Sequence, residues 1–377
     1  MTGGWRLNLD TDAFLAEYWQ CKPLLIKNAI ASFVPPLSGD ELAGLALEED
    51  VESRIIEQRD SVWRVHHGPF DAADFVRDQP WTLLVQAVDH FVPEVAALFQ
   101  LVNFIPQWRT DDIMVSYAVD GGNVGPHYDN YDVFLLQGEG QRLWRLGQHC
   151  NSNTPLVEHE ALRILDSFDC VEEHLLGPGD VLYVPPGIAH WGIAQSECTT
   201  FSIGFRAPRI ADMLSRCTDD VLLHLDSQQF FGDAGRDQAS RPGELSRDDL
   251  ERAAMQLRQV LDNATHDRWF GELVTEPRYD FEPESRELGH ARALLLEGPQ
   301  LVELSPAAKL AWQQNTDSIT VFANGASHNC NANVLPSLIQ LCGHRSLQGQ
   351  HLDNALANPD TLRLLDTLLQ SGCIHVQ

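Results

Sequence analysis

"NVGPHYDNYDVFLLQGEGQRLWRLG" (residues 123–147) opens on a His-x-Asp pair, His127 and Asp129, and runs into apolar positions bounded by glycine turns. Two further tripeptides of this kind occur, His224-Leu-Asp226 and His351-Leu-Asp353. With 15 His and 32 Asp among 377 residues, about one or two arise by chance, so the tripeptide alone identifies nothing. Backbone geometry separates the three. In a strand, residues i and i+2 share a face and can grip one ion, whereas in a helix they point roughly 200° apart. The pairs at 224 and 351 sit in "DDVLLHLDSQQFF" and "QHLDNALANPDTLRLLDTLL", both helical by pattern. His127 and Asp129 follow the turn-forming "GGNVGP" and lead into a strand, so they alone suit a metal.

Outward from this stretch, Ile113 to Phe205 reads as closely spaced short strands: "IMVSYAV", "YDVFLLQ", "RLWRLG", "GDVLYVPPG" and "TTFSIGF". Glycine- and proline-rich turns separate them, which predicts a barrel or double-sheet jelly roll. Before it, a helix is expected near Asp12–Trp19, a strand at Pro23–Ile26 and alternating segments at Ser53–Gln58 and Val62–His66. "WTLLVQAVDHFVPEVAALFQLVNFI" has apolar residues at helical spacing and predicts one or two helices. After "RAPR" the helical period returns. "SRDDLERAAMQLRQVLD" begins with Ser246 as N-cap and Asp249 three residues on, and lines Leu250, Ala253, Ala254, Leu257 and Leu261 along one face. The last 90 or so residues mix helices with a β-pair, "QLVELSP" and "SITVFANG", in the manner of a winged helix.

Composition sets limits on function. The charge is 26 − 54 = −28, which repels phosphate backbones and attracts a basic partner. Residues 281–377 carry 9 acidic and 5 basic residues, so the winged-helix-like tail offers no stripe for DNA. No apolar run approaches the ~20 residues that span a bilayer, and the N-terminus has no secretory pattern, so a cytoplasmic protein without membrane association is expected. The eight cysteines form no Cys-x-x-Cys pair and read as reduced, small buried hydrophobes.

Two ligands do not make a site. "GPGDVLYVPPGIAHWGIA" supplies a third, His190, 61 residues after Asp129, with Pro185 and Pro186 restricting the segment that delivers it. Two imidazoles and one carboxylate form the facial triad of non-haem Fe(II) oxygenases, although a catalytic zinc matches the same ligand count. The His-x-His plus Glu set of many cupins is not met, because position 129 is Asp. If 2-oxoglutarate supplies the electrons, its outer carboxylate needs a cation. Arg142, expected across a "QGEG" hairpin on the next strand, has the fork for it, with Trp144 on the same face and Arg145 opposite.

"GPHYDNYDVFLLQGEGQRLWRLG", "LLGPGDVLYVPPGIAHWGIA" and "TTFSIGFRAP", together with the N-terminal "YWQCKPLLIKNAI", resemble the bacterial ribosomal oxygenases of the Jumonji-C (JmjC) class. The resemblance covers nearly the whole chain, most strongly 113–208. It implies a mainly β catalytic domain, a JmjC double-stranded β-helix of the cupin jelly-roll type, at 1–208. A helical dimerisation region at 209–280 and an α+β winged-helix domain at 281–377 follow. It implies Fe(II)- and 2-oxoglutarate-dependent hydroxylation, with O2 as cosubstrate, of an arginyl residue in large-subunit ribosomal protein sixteen. Carried over, His127, Asp129 and His190 match the iron ligands and Arg142 the 2-oxoglutarate cation; many relatives use Lys there, the bacterial branch Arg. Ser202 is a weaker second contact to the cosubstrate, and Asp120, in "VDGGNVGPH", is a candidate for the substrate guanidinium or simply a turn residue. A homodimer is implied as well. Histidyl hydroxylation or N-methyl-lysine demethylation uses the same triad, and a non-catalytic metal-binding cupin is the reading from another class.

Overall fold

The structure is a computed structural model and describes residues 5–377 apart from 61, 240, 265–267 and 279–284. The chain divides into two compact units, Met1–Ala207 and Pro208–Gln377.

The first unit runs α1 (Thr11–Glu17), β1 (Leu24–Ile26), α2 (Gly39–Leu45), β2 (Ser53–Arg59), β3 (Val62–His67), β4 (Trp81–Val85), α3 (Pro93–Ala96), β5 (Thr110–Ala118), β6 (Val133–Gln137), β7 (Arg142–His149), β8 (Glu172–Leu176), β9 (Val181–Val184), β10 (Ile188–Ala194) and β11 (Cys198–Phe205). Helices α1 and α2 start on side-chain caps that satisfy otherwise orphaned amides. Asp10 accepts from the Ala13 amide at 3.1 Å, and Ser38 and Glu41 form a capping box.

Among the described residues, eight antiparallel strands form one sheet in the order β1-β9-β6-β11-β5-β4-β2-β3, and three form a second, β10-β7-β8. The sheets face each other through Leu135 of β6 and Leu182 and Val184 of β9, packed on Trp144 and Leu146 of β7 and Leu176 of β8. The other face of the large sheet, with Phe134, Leu136, Tyr183 and Phe201, is covered by the N-terminal segment around Phe14 and Leu42. Phe14 meets the Tyr183 ring edge-on at 4.8 Å. Both faces of β6, β9 and β11 are therefore buried, which is why β6 and β9 read as near-continuous apolar runs rather than alternating ones. This is the two-sheet jelly roll that the strand texture predicts.

Two local expectations change. "WTLLV" is not helical: it is β4, wholly buried between β5 and β2, and only short helical turns follow. A short apolar run buried on all sides has no period to distinguish strand from helix. The "QGEG" segment is not a hairpin, since β6 and β7 belong to different sheets and the turn carries the chain across the jelly roll. His190 itself lies on a strand, β10.

Asp132, immediately before β6, is fully buried. It accepts hydrogen bonds from Tyr183 Oη (2.6 Å), Gln20 Nε2 (3.0 Å) and Arg109 Nη2 (3.1 Å), joining the N-terminal segment to the sheet. Burial and this carboxylate push the Tyr183 phenol far above its usual pKa, so it stays a donor. Asp132→Ala leaves a half-buried cation and a buried hydroxyl without this acceptor and is expected to cost about 3 kcal/mol. The measurement is the thermal transition of the first unit followed in the full chain.

The second unit contains α4 (Ile210–His224), α5 (Arg247–Ala264), α6 (Arg268–Thr275), α7 (Ser285–Glu297), β12 (Leu301–Leu304), β13 (Leu310–Gln314), β14 (Ser318–Ala323), β15 (Ala326–Asn331), α8 (Leu335–His344), β16 (Ser346–Gln348), α9 (Gly349–Ala357), α10 (Pro359–Gln370) and β17 (Ile374–Val376). The Ser246 cap forms, with its hydroxyl accepting from the Asp249 amide and the Asp249 carboxylate accepting in return. "QLVELSP" and "SITVFANG" do not pair with each other; β12 lies between β16 and β17, and β14 between β13 and β15. Helices from the stretch 209–280 fall inside this unit. In α6, Gly271 lies against the Phe322 ring, and Glu272 accepts from Ser327 Oγ at 2.7 Å. The boundary expected between 280 and 281 falls on residues 279–284, outside those described. None of the cysteines forms a disulfide, and Cys21 and Cys170 are exposed rather than buried.

Candidate active site

His127, Asp129 and His190 come together with ligand atoms all within 4.8 Å of one another, and they are the only such group among the described residues. His127 and Asp129 lie in the extended approach to β6 rather than within a strand. His127 instead makes an isolated antiparallel bridge to His190, with main-chain bonds of 3.1 and 2.8 Å. That bridge brings the imidazole rings to 4.3 Å and His190 Nε2 to 3.6 Å from the Asp129 carboxylate. Of the other two His-x-Asp pairs, His351 and Asp353 lie within α9 as their pattern predicts, whereas α4 ends at His224 and Asp226 lies beyond it; neither pair belongs to a group that could hold a metal among the described residues.

The donor set fits a divalent metal. His127 Nδ1 donates to the Gly125 carbonyl and His190 Nδ1 to the Ile188 carbonyl, both at 3.0 Å. A carbonyl only accepts, so each Nδ1 carries the proton and each Nε2 lone pair is left for a ligand. Burial within the jelly roll, reinforced by the His127 ring and opposed by Asp129, holds His190 well below its ordinary pKa and keeps it neutral. The charge of the Asp129 carboxylate beside Tyr131, with burial, pushes the phenol pKa strongly upward, so Tyr131 stays protonated.

Arg142 heads β7, two strands deep in the smaller sheet, opposite Ala194 of β10. It is buried, and its Nη1 donates to Ser116 Oγ at 3.2 Å. Its Nε and Nη2 have no hydrogen-bond partner, and neither does the buried Trp144 Nε1 nearby. Buried polar groups are almost always satisfied, so a guanidinium with open donors in a closed jelly roll fits an anionic occupant such as a carboxylate. The alternation along β7 places Trp144 on the same side, with the Arg142 guanidinium 5.9 Å from its ring, while Arg145 turns outward to Glu173.

A JmjC domain family matches residues 97–213, a ROXA-like winged helix matches 255–375, and an AraC-like ligand binding domain matches 171–276. The ribosomal protein uL16 3-hydroxylase of Escherichia coli is 34% identical, covering 98% of this chain and 98% of its own. Among solved structures, the E. coli ribosomal oxygenase YcfD in complex with cobalt and 2-oxoglutarate matches with a TM-score of 0.82 at 32% identity, covering 99% of both chains. A YcfD complex with cobalt and succinic acid matches equally well. The chain belongs to the JmjC ribosomal oxygenases.

In this oxygenase the remaining candidates are placed less centrally. Ser202 is buried on β11 opposite Met114 and Leu135, and it is Ser116, two residues along β5 from Met114, that touches Arg142. Alternation within "MVSYA" puts Met114, Ser116 and Ala118 on one face, a signal that points inward only once β5 is known to face β7. Asp120 is exposed in the turn after β5 and has no ion pair among the described residues. Asn123 and Trp191, which the ligand motif does not single out, lie between the two histidine segments and hydrogen-bond to each other.

Proposed function

We propose that this protein is an Fe(II)- and 2-oxoglutarate-dependent protein hydroxylase that adds one hydroxyl group to an arginyl residue of ribosomal protein uL16. The carrying observation is the His127, Asp129 and His190 group inside a jelly roll whose buried Arg142 has two open donors, in a chain similar along its whole length to a uL16 hydroxylase. When bound, iron and 2-oxoglutarate together activate O2 for insertion of one oxygen into an unactivated C–H bond, with CO2 and succinate as products.

The chain's own residues bind, orient and exclude. His127, Asp129 and His190 would hold the metal through two imidazole nitrogens and one carboxylate oxygen. Arg142 binds the far carboxylate of the cosubstrate from within the sheets, and Leu135, Leu146, Leu182 and Val184 wall that end from water. Ser116 orients the guanidinium, and Ser202 lines the same face. Asp120, exposed in the turn after β5, would meet a substrate guanidinium. The net charge of −28 suits a basic ribosomal protein and slows approach to nucleic acid, including for the winged-helix region. No described helix is long and apolar enough to cross a membrane, and a ribosomal substrate places the reaction in the cytoplasm.

Incubation of the full chain with uL16, Fe(II) and 2-oxoglutarate is expected to add one oxygen to an arginyl residue, read by fragment mass spectrometry, with matching succinate. Oxygen on a histidyl residue, or formaldehyde released from a methylated lysyl peptide, would replace this substrate reading. Absence of any 2-oxoglutarate turnover on ribosomal proteins would return the chain to the class of metal-binding interaction proteins.

The protein acts as a homodimer through α4 and α5. Leu214, Leu222 and Leu223 on α4 and Leu250, Met255 and Leu257 on α5 are more than half exposed, an apolar surface that a second copy would bury. Sedimentation is expected to give twice the chain mass, and Leu223→Asp with Leu257→Asp a single chain. A wild-type protein that sediments as one chain overturns this part.

A further inference from the structure

We infer that Asn123 is a positioning residue that ties the two histidine-bearing segments of the metal site together through Trp191; this rests on the metal site proposed above. The segment before His127 is held to β10 at both ends by main-chain bonds. Gly121 N donates to Ala194 O (2.9 Å) and Ala194 N to Gly122 O (3.0 Å) at one end, and His127 and His190 exchange bonds at the other. Between these ends the Leu165 amide donates to Pro126 O at 2.9 Å, and Asn123 adds three bonds of its own. Its Oδ1 accepts from the Gly125 amide and from the indole Nε1 of Trp191, each at 3.0 Å, and its Nδ2 donates to Gly121 O at 3.0 Å.

Both partners lead directly to a metal-facing imidazole. The Gly125 carbonyl is the acceptor that sets the His127 tautomer, and Gly125 sits at a φ of +79°, a left-handed conformation an Asx-type bond helps to stabilise. Trp191 follows His190 on β10, and its ring is braced edge-on by Phe168 and covered by the Arg145 guanidinium. One amide oxygen thus couples the orientation of His127 to the strand that presents His190. Outer partners of this kind tune metal affinity without touching the metal.

The test uses the full chain and Co(II) as probe. Asn123→Ala and Trp191→Phe, which each remove the indole–amide bond, are expected to weaken Co(II) binding by about 10- to 100-fold and to shift the Co(II) visible absorption bands. Asn123→Asp keeps the acceptor for both donors and is expected to restore the wild-type spectrum with affinity close to it. Trp191→Phe leaves the loop's own bonds intact and serves as the reporter if Asn123→Ala does not fold. Wild-type affinity and spectrum in Trp191→Phe, or an Asn123→Asp protein as impaired as Asn123→Ala, overturns the inference. His127→Ala is measured alongside: if it binds Co(II) like wild type, the metal site itself is misassigned, which is a separate failure.

Discussion

His190→Ala is expected to bring uL16 oxygenation and succinate formation below detection while the protein stays folded. The imidazole is almost fully buried, neutral, and aimed with its Nε2 towards Asp129. Alanine removes one of three groups that could hold the metal and leaves the His127–His190 main-chain bridge in place, because that bridge uses only backbone atoms. Changes to outer partners of metal ligands cost roughly 10- to 100-fold, so loss of a ligand itself must exceed that range. The folding cost is small by comparison, since the substitution also removes a buried polar ring. Activity of His190→Ala at the wild-type rate with bound iron would show that the ligands lie elsewhere; a protein that fails to fold is distinguished by its thermal transition, and His127→Ala then carries the same test.

Arg142→Ala is expected to raise the 2-oxoglutarate concentration needed for half-maximal rate on the order of 100-fold, corresponding to about 3 kcal/mol for a buried charge-paired contact. The sign of its effect on stability is opposite to that of an ordinary buried deletion. Without cosubstrate, Arg142 keeps a charge in the jelly roll with Nε and Nη2 unpaired, a desolvation cost that alanine removes. Arg142→Ala is therefore expected to melt at or above the wild-type temperature in the absence of 2-oxoglutarate, and to lose the upward shift that 2-oxoglutarate produces in wild type. Arg142→Lys keeps the charge without the planar fork and is expected to recover part of the affinity. An Arg142→Ala protein with unchanged dependence on 2-oxoglutarate concentration would move the cosubstrate anchor to another residue.

Asp132 belongs to a different category from these two. It contributes no chemistry, and its pattern value in "YDVFLL" is that of a turn residue before a strand. Only the arrival of Tyr183, Gln20 and Arg109 from distant parts of the chain makes it a buried junction. Ser116, Asn123 and Trp191 escaped the sequence reading for the same reason. Each is an ordinary strand or loop residue until β5 faces β7 and β10 lies beside the His127 loop.

The sequence by itself determined what depends on short-range geometry. The face rule for i and i+2 separates His127 and Asp129 from the helical pair His351 and Asp353, the alternation of β7 puts Arg142 and Trp144 on one side, and the Ser246 cap starts α5 where its pattern says. Composition alone set the acidic charge. Tertiary structure decided which sheet each strand enters, because a strand has the same period of two wherever it pairs. The "QGEG" turn shows this most directly: its residues are those of a hairpin, yet β6 joins β9 and β11 while β7 joins β8 and β10. That crossing, and not a hairpin, is what puts Arg142 on the strand beside His190 and buries its open donors within the jelly roll.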